Sequence, residues 1–172
     1  QLAPMVEEIF TDLASLAEKR SITLEAEGDA ALTGSDALIY RLLFNLTENA
    51  VKYNRPGGSV RVELAQGQEK CIIRVSDTGC GIPEEYQRSI FHPFFRVDKS
   101  RSREYGGAGL GLALVWEIAD LHGGSVWVEE SSDKGTTIAV ELPAGAEKTA
   151  QAMASRCFCP PDRVDGCASL YS

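Results

Sequence analysis

The sequence predicts an α/β two-layer sandwich, a mostly antiparallel mixed sheet covered on one face by about three helices. Two observations carry this expectation. Apolar residues recur at helical spacing in three segments, near residues 4–20, 36–53 and 110–122. Period-two alternation over 59–77 and again over 126–142 marks two β-hairpins. Helices with one apolar stripe and hairpins with one apolar face bury both by stacking as two layers.

Composition bounds the rest. A chain of 172 residues with 44% hydrophobic and 24% charged residues has the make-up of one globular domain with one core. The formal net charge of -8 argues against nonspecific nucleic-acid binding, because a polyanion is repelled unless basic residues gather on one face. The one dense basic stretch, Arg96 to Arg103, is short. No apolar run is long enough to cross a bilayer and no signal-peptide succession opens the chain. Gln1 reads as a cut edge rather than a natural start. Five cysteines, an odd number, do not make a disulfide framework and fit a reducing compartment. Cys157, Cys159 and Cys167 match no trusted metal spacing. The domain is therefore expected to occupy residues 1–143, followed by a disordered tail over 144–172.

In order, Met5, Val6, Ile9, Phe10, Leu13, Leu16 and Ala17 predict a first amphipathic helix. Ile22, Leu24 and Ala26 alternate as a half-buried strand closed at Gly28-Asp29, and a short strand is expected near Leu32. Ser35 or Asp36 can cap the second helix, which should stop before Asn54-Arg55-Pro56-Gly57-Gly58. Ile39, Leu42, Leu43, Leu46 and Ala50 form its apolar stripe, while Arg41, Asn45, Glu48, Asn49 and Lys52 form a polar one. Asparagine is a poor choice for a helix surface, so that stripe reads either as a solvated face or as part of a site.

The second strand of the first hairpin ends in Asp77-Thr-Gly-Cys-Gly-Ile-Pro83, a carboxylate followed by a glycine turn against which a flat ring could slide. A short helix is expected from Glu84 to Phe91. Residues 91–105 mix phenylalanines with basic side chains without periodicity and read as a long closing loop or a docking surface. Glycines at 106, 107, 109 and 111 then lead straight into the third helix, whose unpaired amides and positive dipole end make a place for phosphate. Leu110, Leu112, Leu114, Val115, Ile118 and Leu121 are expected to bury that helix, and His122-Gly123-Gly124 to end it.

Five segments in register, NLTENAVKYN (45–54), DTGCGIP (77–83), IFHPFFRVDKSRS (90–102), GGAGLGLALV (106–115) and KGTTIAVELP (134–143), resemble the ATP-binding catalytic domain of bacterial sensor histidine kinases, of the wider superfamily shared with gyrase and chaperone ATPases. The resemblance covers about residues 4–143 and implies a Bergerat-type ATP-binding fold. It implies ATP and Mg²⁺ as ligands, with Asn49 holding the metal and Asn45 and Lys52 completing the phosphate end. Tyr53 would stack on adenine and Asp77 would accept from its amino group, with Gly79, Gly81 and Ile82 beside the ring and Thr136 as a second polar contact. Arg96 and Arg101 or Arg103 would reach the γ-phosphate, while Gly107, Gly109, Leu110, Gly111 and Leu112 would follow the phosphate chain. Glu48, Asn49, Lys52 and Arg96 are the catalytic candidates.

The resemblance further implies transfer of the γ-phosphate to a histidine on a separate dimerisation domain, a response regulator as partner, a homodimeric parent, and a cytoplasmic position in a protein anchored in the bacterial inner membrane. His92 and Trp116 depart from the usual pattern and are read as packing, as is His122 as a structural histidine. No phosphoacceptor motif occurs in the chain. In related ATPases a glutamate one turn before the metal-binding asparagine activates water; here that place is Asn45, so slow hydrolysis is expected, with Glu48 as the base only if the helix is rotated. A nucleotide-sensing module without chemistry, or an ATPase of the same superfamily, is the alternative. A dinucleotide fold is excluded because the glycine loop leaves the polar KSRSREY rather than a buried strand.

Overall fold

The structure, a computed structural model, describes residues 1–96 and 109–145. Helix α1 spans Ala3–Lys19, β1 Thr23–Gly28, α2 Asp36–Lys52, β2 Ser59–Gln66, β3 Lys70–Asp77, α3 Gly111–Leu121, β4 Ser125–Ser132 and β5 Gly135–Pro143. The strands form one sheet in the order β1-β2-β3-β5-β4. Only β1 and β2 are parallel; β2–β3, β3–β5 and β4–β5 are antiparallel. The two-layer sandwich and the mixed, mostly antiparallel sheet are as the sequence predicts.

Helices α1 and α2 bury the stripes that their periodicity marks. Pro4 opens α1, where a missing amide costs nothing, and Val6, Ile9, Leu13 and Ala17 are buried along it. In α2 the buried set is Ile39, Leu42, Leu43, Leu46, Thr47, Ala50 and Val51. The hydroxyl of Thr47 is satisfied there by the Leu43 carbonyl at 2.8 Å. These meet Val60, Val62 and Leu64 of β2, Cys71, Ile73 and Val75 of β3, and Ile138, Val140 and Leu142 of β5. The opposite face of the sheet carries cross-strand ion pairs, Arg61–Glu27 at 2.6 Å, Lys70–Glu141 at 2.6 Å and Arg74–Glu129 at 2.7 Å. Exposed pairs of that kind add only about 0.2–1 kcal/mol each, so the helix-side core carries the stability.

Several expectations need correction. Residues Glu84–Tyr86 and Ser89–Phe91 form two separate 3-10 turns rather than one helix, since Ile90 and Phe91 are drawn into the core and break the helical run. No strand forms near Leu32; the segment instead ties to the sheet end through the Thr33 amide and the Ala144 carbonyl at 3.3 Å. In α3 the buried residues are Val115, Ile118 and Ala119, while Leu110 and Leu121 are each 44% exposed. Trp116 is 49% exposed and His92 is exposed, so neither is core packing. His122 is buried, as expected, with its Nδ1 2.7 Å from the Ile118 carbonyl. Most of the segment expected to be a tail, 146–172, lies outside the described residues, and Ala144 is still held by the Glu69 carbonyl at 2.9 Å.

Candidate functional site

The polar stripe of α2 faces a cavity of about 310 Å³ between that helix, the ends of β3 and β5, and the start of α3. Asn45, Glu48, Asn49 and Lys52 line it from the helix, so the stripe is not simply a solvated face. Glu48 and Lys52 pair at 2.9 Å one turn apart. The Asn45 amide donates to the Arg41 carbonyl at 2.7 Å. Beside these, Gly111 begins α3, and a Cβ there would stand 3.0 Å from Asn45 Oδ1. Helix dipole, asparagine amides and one lysine therefore converge at this end of the cavity, a donor set suited to an anion with a hard cation.

At the other end lies Asp77, the last residue of β3, opposite Thr136 in β5. Asp77 Oδ1 accepts from the Gly79 amide at 2.7 Å, and the backbone of Thr136 beside the carboxylate also favours its charged form. Burial pushes the Asp77 carboxyl above its ordinary range, and those two backbone contacts only partly offset it. Residue 79 has to be glycine, because a Cβ would lie 2.6 Å from the Tyr53 carbonyl oxygen and 2.7 Å from Asp77 itself. Tyr53, half exposed, stands at the rim. Gly81 and Ile82 complete this end, and the Ile82 amide donates to Ser131 Oγ at 2.7 Å.

The cavity thus unites Asn45, Glu48, Asn49, Lys52, Tyr53, Asp77, Gly81, Ile82, Arg96, Gly109, Leu110, Gly111, Leu112 and Thr136. Gly79 supports it from behind. Arg101, Arg103 and Gly107 lie outside the described residues. The sequence reading missed its apolar wall, Val75, Ile90, Phe95 and Ile138, together with Cys80. It also missed Ser131. Alternation gives Val75 and Ile138 away as core but not as lining, no strand period covers Ile90 or Phe95, and nothing local marks Ser131. A second, wider groove of about 940 Å³, bordered by Phe91, Pro93, Trp116 and Trp127, shares Asn45, Leu110 and Gly111 with the first.

Residues 34–146 match the family of histidine kinase-, DNA gyrase B- and HSP90-like ATPases. The chain belongs to this family. Among relatives of this ATPase family, the sensor histidine kinase RppB of Synechocystis is 37% identical over 145 residues, 83% of this chain and 32% of that protein. The sensor histidine kinase WalK of Bacillus subtilis is 42% identical over 107 residues, covering 61% of this chain and 18% of its own length. The chain thus spans about a third or less of these relatives. The catalytic domain of the histidine kinase ThkA superimposes with a TM-score of 0.74 at 27% identity, over 86% of this chain and 95% of that one. This ATPase domain is accordingly of the histidine-kinase catalytic type. Among the described residues no helix is long and apolar enough to cross a membrane.

Proposed function

We propose that the domain binds ATP with Mg²⁺ and presents the γ-phosphate for transfer to a histidine on a separate phosphoacceptor domain. The observation that carries this reading is the two-ended cavity. Asp77 offers an acceptor where a base would lie, in the same cavity as Asn45, Asn49, Lys52 and the amino end of α3. The adenine amino group would donate to Asp77, Tyr53 would lie on the ring at the rim, and Thr136 would supply the second polar contact. Among the described residues no cluster of His, Cys, Asp and Glu could cage a metal unaided. Asn49 would hold Mg²⁺ through its amide oxygen together with substrate phosphates, as suits a cation that sheds water reluctantly. When bound, Mg²⁺ supplies charge neutralisation along the phosphate chain. Lys52 and Arg96 add point charges there, and Glu48 holds Lys52 in place.

Transfer rather than fast hydrolysis is favoured because the Asn45 amide cannot take a proton from water. The wider groove opens onto the same phosphate end through Leu110 and Gly111. That continuity supports approach of the phosphoacceptor helices from this side. The structure of ThkA with the response regulator TrrA, 24% identical here with a TM-score of 0.71, shares the fold; a response regulator, a homodimeric parent and a cytoplasmic position beside an inner-membrane anchor extend the proposal. The deciding experiment supplies γ-labelled ATP and Mg²⁺ to this chain, with and without a separate histidine-bearing phosphoacceptor domain from a sensor kinase relative. Label on that histidine, acid-labile and lost with Asn49→Ala, is the expected result. Binding without transfer would leave a nucleotide-sensing module, and rapid phosphate release without an acceptor would leave an ATPase.

A further inference from the structure

Ser131 sits behind the base end of the cavity and is not part of its lining, yet it bridges two residues that are. Its Oγ accepts from the Ile82 amide at 2.7 Å and lies 3.0 Å from Thr136 Oγ1. It reaches this place through a fault in the sheet. Val126 and Val128 face the helices, so plain alternation would turn Glu130 and Ser132 inward and Ser131 out. The register between β4 and β5 shifts between Val128 and Glu130, pairing Val128 with Ile138 but Ser131 with Thr136. That irregularity re-aims Ser131 onto the helix side, a use for which bulges beside sites are known.

An amide can only donate, so the Ile82 N–H occupies one lone pair of Ser131, and the serine proton needs another acceptor. Among the described residues, Thr136 Oγ1 is the one within reach. Because β5 lies between β3 and β4, a bond from Ser131 holds the Thr136 hydroxyl on the β4 side, away from Asp77 on β3. Accepting from Ser131 with one of its two lone pairs, Thr136 keeps its own proton to give to the cavity.

Building on the nucleotide reading above, we propose that Ser131 is a positioning residue that fixes the rotamer and donor polarity of Thr136, making the pocket specific for a base with an acceptor beside its amino group. Adenine presents that pair, an amino donor to Asp77 and N1 as acceptor to Thr136. A 6-oxo purine reverses both, setting its oxygen against the carboxylate and N1–H against the hydroxyl proton. Released by loss of Ser131, the Thr136 hydroxyl turns to the charged Asp77 carboxylate, the stronger acceptor.

The test uses this chain and displacement of a fluorescent nucleotide by ATP, by 1-deaza-ATP, which lacks the N1 acceptor, and by the 6-deamino analogue, which lacks the amino group. The unaltered chain should prefer ATP over 1-deaza-ATP by about fivefold, the scale of one neutral hydrogen bond. Ser131→Ala should shrink that ratio below about twofold while the ratio of ATP to the 6-deamino analogue stays unchanged. Ser131→Thr should keep both ratios, and Ser131→Cys, a weaker donor of similar shape, should fall between. A general loss of folding lowers all ligands together and leaves the ratios alone. An unchanged 1-deaza ratio in both Ser131→Ala and Ser131→Cys overturns the proposal, as does an unaltered chain that binds ATP and 1-deaza-ATP equally. Failure of the unaltered chain to bind any of the three would instead remove the nucleotide reading, and this proposal with it.

Discussion

Asp77 and Thr136 stand opposite each other across β3 and β5, and the Thr136 backbone favours the charged form of the Asp77 carboxylate. The buried carboxylate is thus held by a neighbour that shares its cavity. Burial still wins, and the carboxyl titrates above the ordinary value of 3.8. A raised folded pKa means that the folded state binds the proton more tightly than the unfolded one. The contribution of Asp77 to stability is therefore present below the ordinary carboxylate range and is lost as pH rises through the raised value.

Two consequences separate binding from stability at this residue. Asp77→Asn should weaken an ATP analogue by about tenfold or more, since the amide can oppose the base amino group with its own donor. It should leave the melting temperature at pH 7 unchanged or raise it, because an ionised buried group has been removed. In the unaltered chain, calorimetric affinity should fall on acidification with a midpoint above 3.8, a limb that Asp77→Asn should lack.

Asn49 is expected to matter only when metal is present. Chelation of Mg²⁺ should weaken ATP-analogue binding, and Asn49→Ala should bring the metal-loaded affinity down to near the metal-free one, with the metal-free affinity within about twofold of the parent. Equal weakening with and without Mg²⁺ would instead make Asn49 a phosphate contact.

The Glu48–Lys52 pair, at 2.9 Å and about a quarter exposed on each side, is a weak stabiliser but a local orienting device. Glu48→Gln should change unfolding free energy in urea by no more than about 0.5 kcal/mol. Lys52→Met should lower analogue affinity by about tenfold with a similarly small effect on stability.

Gly81 and Gly57 have nearly the same backbone angle, φ +75 and +78, but different surroundings. A Cβ at Gly81 would collide with the Ser132 carbonyl oxygen, whereas nothing lies near one at Gly57. Gly57→Ala should therefore cost only the left-handed penalty, about 1 kcal/mol. Gly81→Ala should cost about 2 kcal/mol or more and displace the Ile82 turn, with loss of nucleotide binding.

Thiol chemistry should distinguish Cys71 from Cys80. Burial raises the Cys71 thiol to about 11, and the side chain is fully enclosed between sheet and helices. Cys80 is exposed and lines the cavity. Peptide mapping after brief alkylation at pH 8 should find Cys80 modified and Cys71 intact. Bound ATP analogue should slow the reaction at Cys80, which would otherwise proceed at the same rate.

By itself the sequence determined the layers. Three apolar stripes and two alternating hairpins require helices on one face of a sheet, because each element has one face to hide from water and backbone geometry fixes its period. It also marked the glycines and polar residues of α2 as unusual, since Asn45 and Asn49 serve a helix poorly and Gly79 and Gly81 leave a strand abruptly. What it could not contain was juxtaposition. Asp77 and Thr136 are distant in the chain and meet only through the β3–β5 register, and Val75, Phe95 and Ile138 become cavity wall only when α2 and α3 are set across the sheet. Phe91 joins the core and splits the expected helix into two turns, a tertiary contact overriding local preference. Ser131 depends most on the tertiary structure. A one-residue irregularity in β4 reverses which side of the sheet it faces, and period-two reading of the sequence necessarily assigns such a residue to the wrong one.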